Sequence, residues 1–423
     1  MTIVQAQPAT IRGSGTTIQT AVRGLLQGTP GRMRLMGILG VIAALLLGGA
    51  ATNAILASEA AAERAATNTE QVVRMQSIHV DLLRADALAT NAFLVGGLET
   101  AEARAQYDAA MATVASTIAA GAANQPADAT ALGVLAQHVQ GYAALVEQAR
   151  SNNRLGLPVG ARYLTEASAS LRTEAIPVVT TIVAANGERA QQEFERTNSS
   201  VQLYVGVAAL VLLVLVAVWL ARRTHRYLNP SFALGVALLL VGLFVAASTI
   251  GGLGTASAEI ATGDYRRAVD LAQVRTAAND ARANESLTLI QRGSGGPYED
   301  AWKANDKTIR ETLGRLDNSS GLERAWQRYA LAHAEIRGAD NDGRWEEAVE
   351  LATSPTADGA TDTFTTFDRQ VTEQRDAAST AAIQQLASLG GGSTVWAVLV
   401  ALLSLIASWL VLRGIGQRIK EYR

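Results

Sequence analysis

Two carboxylates are the most pointed chemical feature of this sequence. Asp86 opens the stretch Asp86-Ala87-Leu88-Ala89-Thr90-Asn91, and Asp280 opens Asp280-Ala281-Arg282-Ala283-Asn284-Glu285. Each sits one residue beyond an alanine seam on a long helical stretch, and the two stretches align with each other. An acid beside a bundle core could receive a cationic group of a ligand or partner. It could equally pair with an arginine of a neighbouring helix or be solvated, because bundle helices normally carry charge on their flanks. A second charged group is wholly basic. Arg222, Arg223 and Arg226 lie in the short stretch RRTHRYLNP, which has no acidic residue. These arginines are candidate contacts for a partner or for anionic lipid.

Catalytic and cofactor signatures are missing. There is no G-x-x-x-x-G-K-[ST] phosphate loop, and Gly251-Gly252-Leu253-Gly254 follows no strand. The four histidines, His79, His138, His225 and His333, show neither H-E-x-x-H nor E-x-x-H spacing. With no cysteine either, no metal site is expected. No G-x-S-x-G elbow occurs. The expectation is a protein that is not an enzyme, holds no cofactor and has no nucleic-acid partner.

The elements that position these residues are set by four apolar runs, at 35–57, 201–221, 231–253 and 394–412. Each is about 20 residues, enough to cross a ~30 Å hydrocarbon core. The first is longer than the apolar core of a signal peptide. The loop 222–230 is basic, and 1–34 carries Arg12, Arg23, Arg32 and Arg34 without an acid. The tail 413–423 carries four basic residues against Glu421. Basic loops are retained in the cytoplasm. Both tails and the central loop are therefore expected inside, and 58–200 and 254–393 outside, in a plasma membrane. The net charge of −2 is uninformative, because the pieces expected inside are basic while the two large loops hold almost all of the acid. None of the spans carries an ionisable residue of the kind transport pathways use.

Both large loops read as helical. Met75, Ile78, Leu82, Ala85, Ala89 and Ala92 alternate at +3 and +4, as do Leu271, Val274, Ala278 and Ala281. That is the spacing of a bundle seam. Aromatic residues make up only 5% of the chain while alanine is abundant, which favours closely packed helices over a sheet sandwich. Turns at Gly96-Gly97, 121–128 and 152–158 divide the first loop, and Pro177 is expected to kink or interrupt its last helix. Turns at 292–297, 317–321 and 339–343 divide the second. Tyr142 aligns with Tyr329, Gly156 with Gly343 and Leu164 with Leu351. The expected fold is all-α, with four transmembrane helices and two extracytoplasmic antiparallel four-helix bundles from an internal duplication. Trp302 and Trp326 fall on adjacent helices of the second bundle, as core or as a contact surface. The exit of the first bundle has no glycine after Gly187, whereas the second breaks at Gly390-Gly391-Gly392, so the first is expected to be the stiffer join.

Thr29-Pro30-Gly31-Arg32 before the first span and the loop Arg222 to Pro230 are the motifs by which the chain resembles the GlnX family of actinobacterial four-span membrane proteins. Its outer segments also resemble the four-helix sensor domains of bacterial chemoreceptors, without their cytoplasmic signalling hairpin. The GlnX resemblance implies a relay. It would couple an extracytoplasmic solute-binding lipoprotein for acidic amino acids to a cytoplasmic serine/threonine kinase. An envelope scaffold is the alternative, and a transport subunit a third.

Overall fold

A computed structural model describes residues 28–95, 99–197, 201–224, 229–354, 356–389 and 391–421. Among the described residues every regular element is helical and there is no strand. In chain order the helices are α1 (Gly28–Val95), α2 (Ala101–Asn124), α3 (Ala129–Arg154), α4 (Val159–Ser170), α5 (Ile176–Thr197), α6 (Val201–Thr224), α7 (Pro230–Thr262), α8 (Asp264–Ile290), α9 (Gly296–Leu313), α10 (Ser320–Asn341), α11 (Trp345–Thr353), α12 (Ala360–Leu389) and α13 (Ser393–Glu421). They form two compact units.

The first unit comprises the described parts of 1–60, 197–254 and 390–423. Four helical stretches here are long and apolar enough to cross a membrane. Small residues let them approach closely: Ala43, Ala44, Ala51 and Ala54 are buried, and a Cβ on Gly48 would fall 2.0 Å from Ser404 Cβ. Such small-residue seams suit helix packing in lipid. The outward face is apolar, with Ile42, Leu46, Leu215, Phe244, Leu402 and Leu405 all exposed. So much exposed apolar surface is a liability in water and is natural in a bilayer. The arginines Arg12 and Arg23 and residues 198–200 of the glycine-free exit lie outside the described residues. So does Gly390, although α12 does end at Leu389 and α13 restarts at Ser393.

The second unit comprises 61–196 and 255–389. Two apolar cores organise it. Around the first, Met75, Ile78, Leu82, Ala85 and Ala89 of α1 meet Val114 of α2, Leu132, Leu135, Tyr142 and Val146 of α3, and Leu164, Leu171 and Val179 further on. The α1 residues are the seam expected from spacing, except that Ala92 is only partly buried. Full burial of one leucine contributes about 1.5–3 kcal/mol, so this seam holds α1 in register. Asp128, in a 3-10 turn at Pro126–Asp128, locks the α2–α3 turn. It accepts hydrogen bonds from Asn186 Nδ2 at 2.6 Å and Arg189 Nη1 at 3.1 Å, both on α5. Gly156, at φ +65°, makes the turn after α3 in a conformation that costs glycine little.

The second core gathers Leu271, Val274, Ala278 and Ala281 of α8 with Ile309, Trp326, Tyr329, Ile336 and Phe367. Trp302 and Trp326 stack at 6.3 Å and are buried, so they are core rather than contact surface. Leu94 of α1 joins this same core, and Ile290 packs against both. The helices around the two cores, the first and second bundles below, therefore share a packed boundary.

That boundary explains α8. From Val274 to Leu289 it is buried on nearly every side, although it carries Arg275, Asn279, Arg282, Asn284 and Glu285. A helix buried all round is normally apolar. Here each polar side chain needs a partner inside the protein.

The α-helix is interrupted just before Pro177: α4 gives way to a π-helical turn, Leu171–Ala175, and α5 resumes at Ile176. In that turn the Ile176 amide donates to the Leu171 carbonyl, one residue further back than in an α-helix. The wider turn just before Pro177 accommodates a residue that has no N–H and whose ring crowds the preceding turn.

Candidate functional site

The π turn carries Arg172, which joins the two carboxylates singled out in the sequence. Its Nη1 donates to Asp86 Oδ2 at 2.8 Å. Its Nε and Nη2 donate to Asp280 Oδ1 at 3.0 and 2.7 Å. Asp86 belongs to α1 and Asp280 to α8, so one guanidinium links the first bundle to the second.

The surroundings complete the network. Asp86 is fully buried, and its Oδ1 accepts from Ser168 Oγ at 2.6 Å and from the Tyr142 hydroxyl at 3.4 Å. Asp280 Oδ2 accepts from Asn284 Nδ2 at 3.1 Å and Asn305 Nδ2 at 2.8 Å. Arg172 Nη1 also donates to the Ser168 carbonyl at 3.1 Å. Desolvation disfavours the Arg172 charge, but Asp86 and Asp280 outweigh it and raise the pKa. Burial, reinforced by the Asp86 charge, holds the Tyr142 hydroxyl protonated as a donor. Both carboxylates are thus engaged from within the protein, and neither stands free for a cationic ligand group.

A second charged centre lies inside the second bundle. Glu285 is buried and pairs with Arg282 one helical turn earlier. It also accepts from the Tyr329 hydroxyl at 3.2 Å and pairs with His333 Nδ1 at 2.8 Å. The other ring nitrogen, Nε2, lies 3.3 Å from Glu299 Oε2, and Trp302 stacks on the ring at 3.7 Å. Burial disfavours the imidazolium, but hydrogen bonds to Glu285 and Glu299 overcome it and raise the His333 pKa. Both ring nitrogens of His333 therefore face carboxylates within a structural charge network. No group of acids and histidines suited to a metal ion occurs among the described residues.

The acid that meets the tyrosine of the third helix is Asp86 in the first bundle and Glu285 in the second.

Of the basic trio, Arg222 is exposed on α6, beside a groove with Met36, Leu39 and Trp219. The Arg223 side chain and the whole of Arg226 fall outside the described residues. Arg172, Ser168, Glu285 and His333 were not singled out by sequence reasoning. A signal for the first two existed: Leu164, Ser168, Leu171 and Ala175 repeat at +4, +3, +4, which puts a serine in a core seam with Arg172 beside it.

Residues 61–195 match a family model described as an actinobacterial sensor domain. No curated protein and no solved structure matches the chain. The matched stretch contains Asp86, Tyr142, Ser168 and Arg172 but not Asp280. The first bundle is therefore similar to actinobacterial sensor domains, which points to a sensing or signalling role for a protein with four membrane-competent helices.

Proposed function

We propose that this chain is a non-catalytic, multi-pass membrane signal relay. In this reading the two bundles are extracytoplasmic copies of one module, and 222–230 and both tails are cytoplasmic. The observation that carries the reading is Arg172. It lies in the sensor-like bundle, on a π turn, and grips an acid of the other bundle. π turns recur at functional sites, and a rearrangement there would move the guanidinium between its two carboxylates. A change in the first bundle would thereby reach α8, and α7, the element just before α8, is membrane-competent.

The GlnX resemblance supports the partners: a solute-binding lipoprotein reporting acidic amino acids outside, and a serine/threonine kinase or other regulator inside. In this reading output passes to a separate protein, with Arg222, Arg223 and Arg226 as the contact. The test is in cells. Phosphorylation by the kinase should respond to external glutamate with the wild-type chain. The response should be lost with Arg172→Ala, and with all three loop arginines replaced by glutamine once insertion is verified. An unchanged kinase state on adding glutamate to the wild type would favour the scaffold reading.

A further inference from the structure

The first bundle is incompletely filled at the end where α1 stops, α2 begins and α3 stops. A cleft of about 270 Å3 opens there. The cause is legible in residue size. Ala89, Ala92, Ala101 and Ala149 line it, whereas Leu82, Leu132, Leu135 and Tyr142 close the core further along. Val146 and Leu164 complete an apolar, buried floor.

The rim is charged. It carries Arg104, Arg150, Arg154 and Glu99, and Glu147 beside it pairs with both Arg104 and Arg150. Both Glu99 oxygens are held by Arg150, through Nε at 3.1 Å and Nη2 at 3.1 Å, so Glu99 is not free to hold a cation. Arg150 is fixed further by lying 4.1 Å over the Tyr107 ring. Arg104 pairs with Asp108 and Glu147. Arg154 is exposed and makes no ion pair among the described residues. An apolar floor beneath one uncommitted guanidinium matches a ligand with one anionic head and an apolar body. A guanidinium fork matches a carboxylate bidentately. The volume lies just under the usual ~300–1,000 Å3 of ligand pockets, which limits the body to a short chain.

We propose that this cleft binds a short-chain aliphatic carboxylate, its chain on the alanine-lined floor and its carboxylate on Arg154. The proposal rests on the sensing reading, since every lining residue falls within the sensor-like stretch.

The test uses the full chain in lipid nanodiscs and isothermal titration with hexanoate, glutamate and inorganic phosphate. Hexanoate should bind saturably, and glutamate and phosphate at least tenfold more weakly. Arg154→Ala, at an exposed position, should weaken hexanoate at least tenfold. Ala92→Leu, which fills the cleft, should do the same with helicity unchanged. Partitioning into lipid would be identical in all variants and would overturn the proposal, as would no binding or phosphate binding as tightly as hexanoate. Hydrogen exchange of α8 in Arg172→Ala, measured on the same preparations, reports the relay separately. Coupling there without hexanoate binding overturns the cleft alone, and binding without coupling overturns the relay alone.

Discussion

Each bundle buries a carboxylate against a tyrosine of its third helix, yet the two acids are neutralised in opposite ways. Glu285 is answered from within its own bundle, by Arg282 on the same helix and His333 on α10. Asp86 is answered by Arg172, a side chain about a quarter exposed that divides itself between Asp86 and Asp280 of the other bundle. The first arrangement is closed and fixes a core. The second is shared across a boundary, so its strength depends on how the bundles meet. A charge network that can act as a switch needs two arrangements of similar energy, and only the shared, partly hydrated one is placed to have them.

The largest expected effect is at the closed centre. Glu285→Ala leaves Arg282 buried without its carboxylate, and removing one partner of a buried pair costs about 3–5 kcal/mol. Thermal unfolding followed by circular dichroism should show the second bundle lost first. Arg172→Ala strips the cation from the buried Asp86 but should cost somewhat less, about 3 kcal/mol, because Ser168 and Tyr142 still donate to that carboxylate. Its signature should be a loosened boundary with both cores folded. If it unfolds the first bundle as severely as Glu285→Ala unfolds the second, the contrast between closed and shared centres fails.

Acidity should separate the bundles as well. The His333 pKa is raised in the folded state, so its contribution is complete below the unfolded value of about 6.5 and is lost as pH rises through the folded value. Glu299 is shifted the other way. Burial opposes its charge, but His333, Arg337 and Lys303 prevail, so its contribution is lost as pH falls. The second bundle should weaken on raising the pH above neutrality, and His333→Gln should remove that slope. A titration in which wild type and variant keep the same slope would assign the pH dependence elsewhere. The smallest effects are expected from the tyrosines, about 0.5–1.5 kcal/mol each for Tyr329→Phe and Tyr142→Phe. Tyr142 should lie at the lower end, since its hydrogen bond is the longer at 3.4 Å and Ser168 also serves Asp86.

Much of the fold was legible because apolar spacing is local. The seams of α1 and α8 and the four apolar stretches follow from residues within a few turns of one another. The site was only half legible. Asp86 and Asp280 stood out, but Arg172 lies far from both in sequence and pairs across a boundary that no local pattern marks. The alanine-rich first helices of the two bundles also match in several registers. The all-round burial of α8 was hidden by its own polar residues, which read as a solvated face until their partners are seen. An interruption near Pro177 is legible, but its form as a π turn is not, because no residue type announces one.

The central claim is that Arg172 couples the bundles, and hydrogen exchange of the full chain in nanodiscs tests it most directly. With Arg172→Ala, amides of α8 around Asp280 should exchange faster than in wild type, while α3 amides around Leu135 and Val139 keep their protection. Unchanged exchange in α8, with faster exchange confined to α4 and α5, would mean that Arg172 braces its own helix and that the two bundles are not coupled through it.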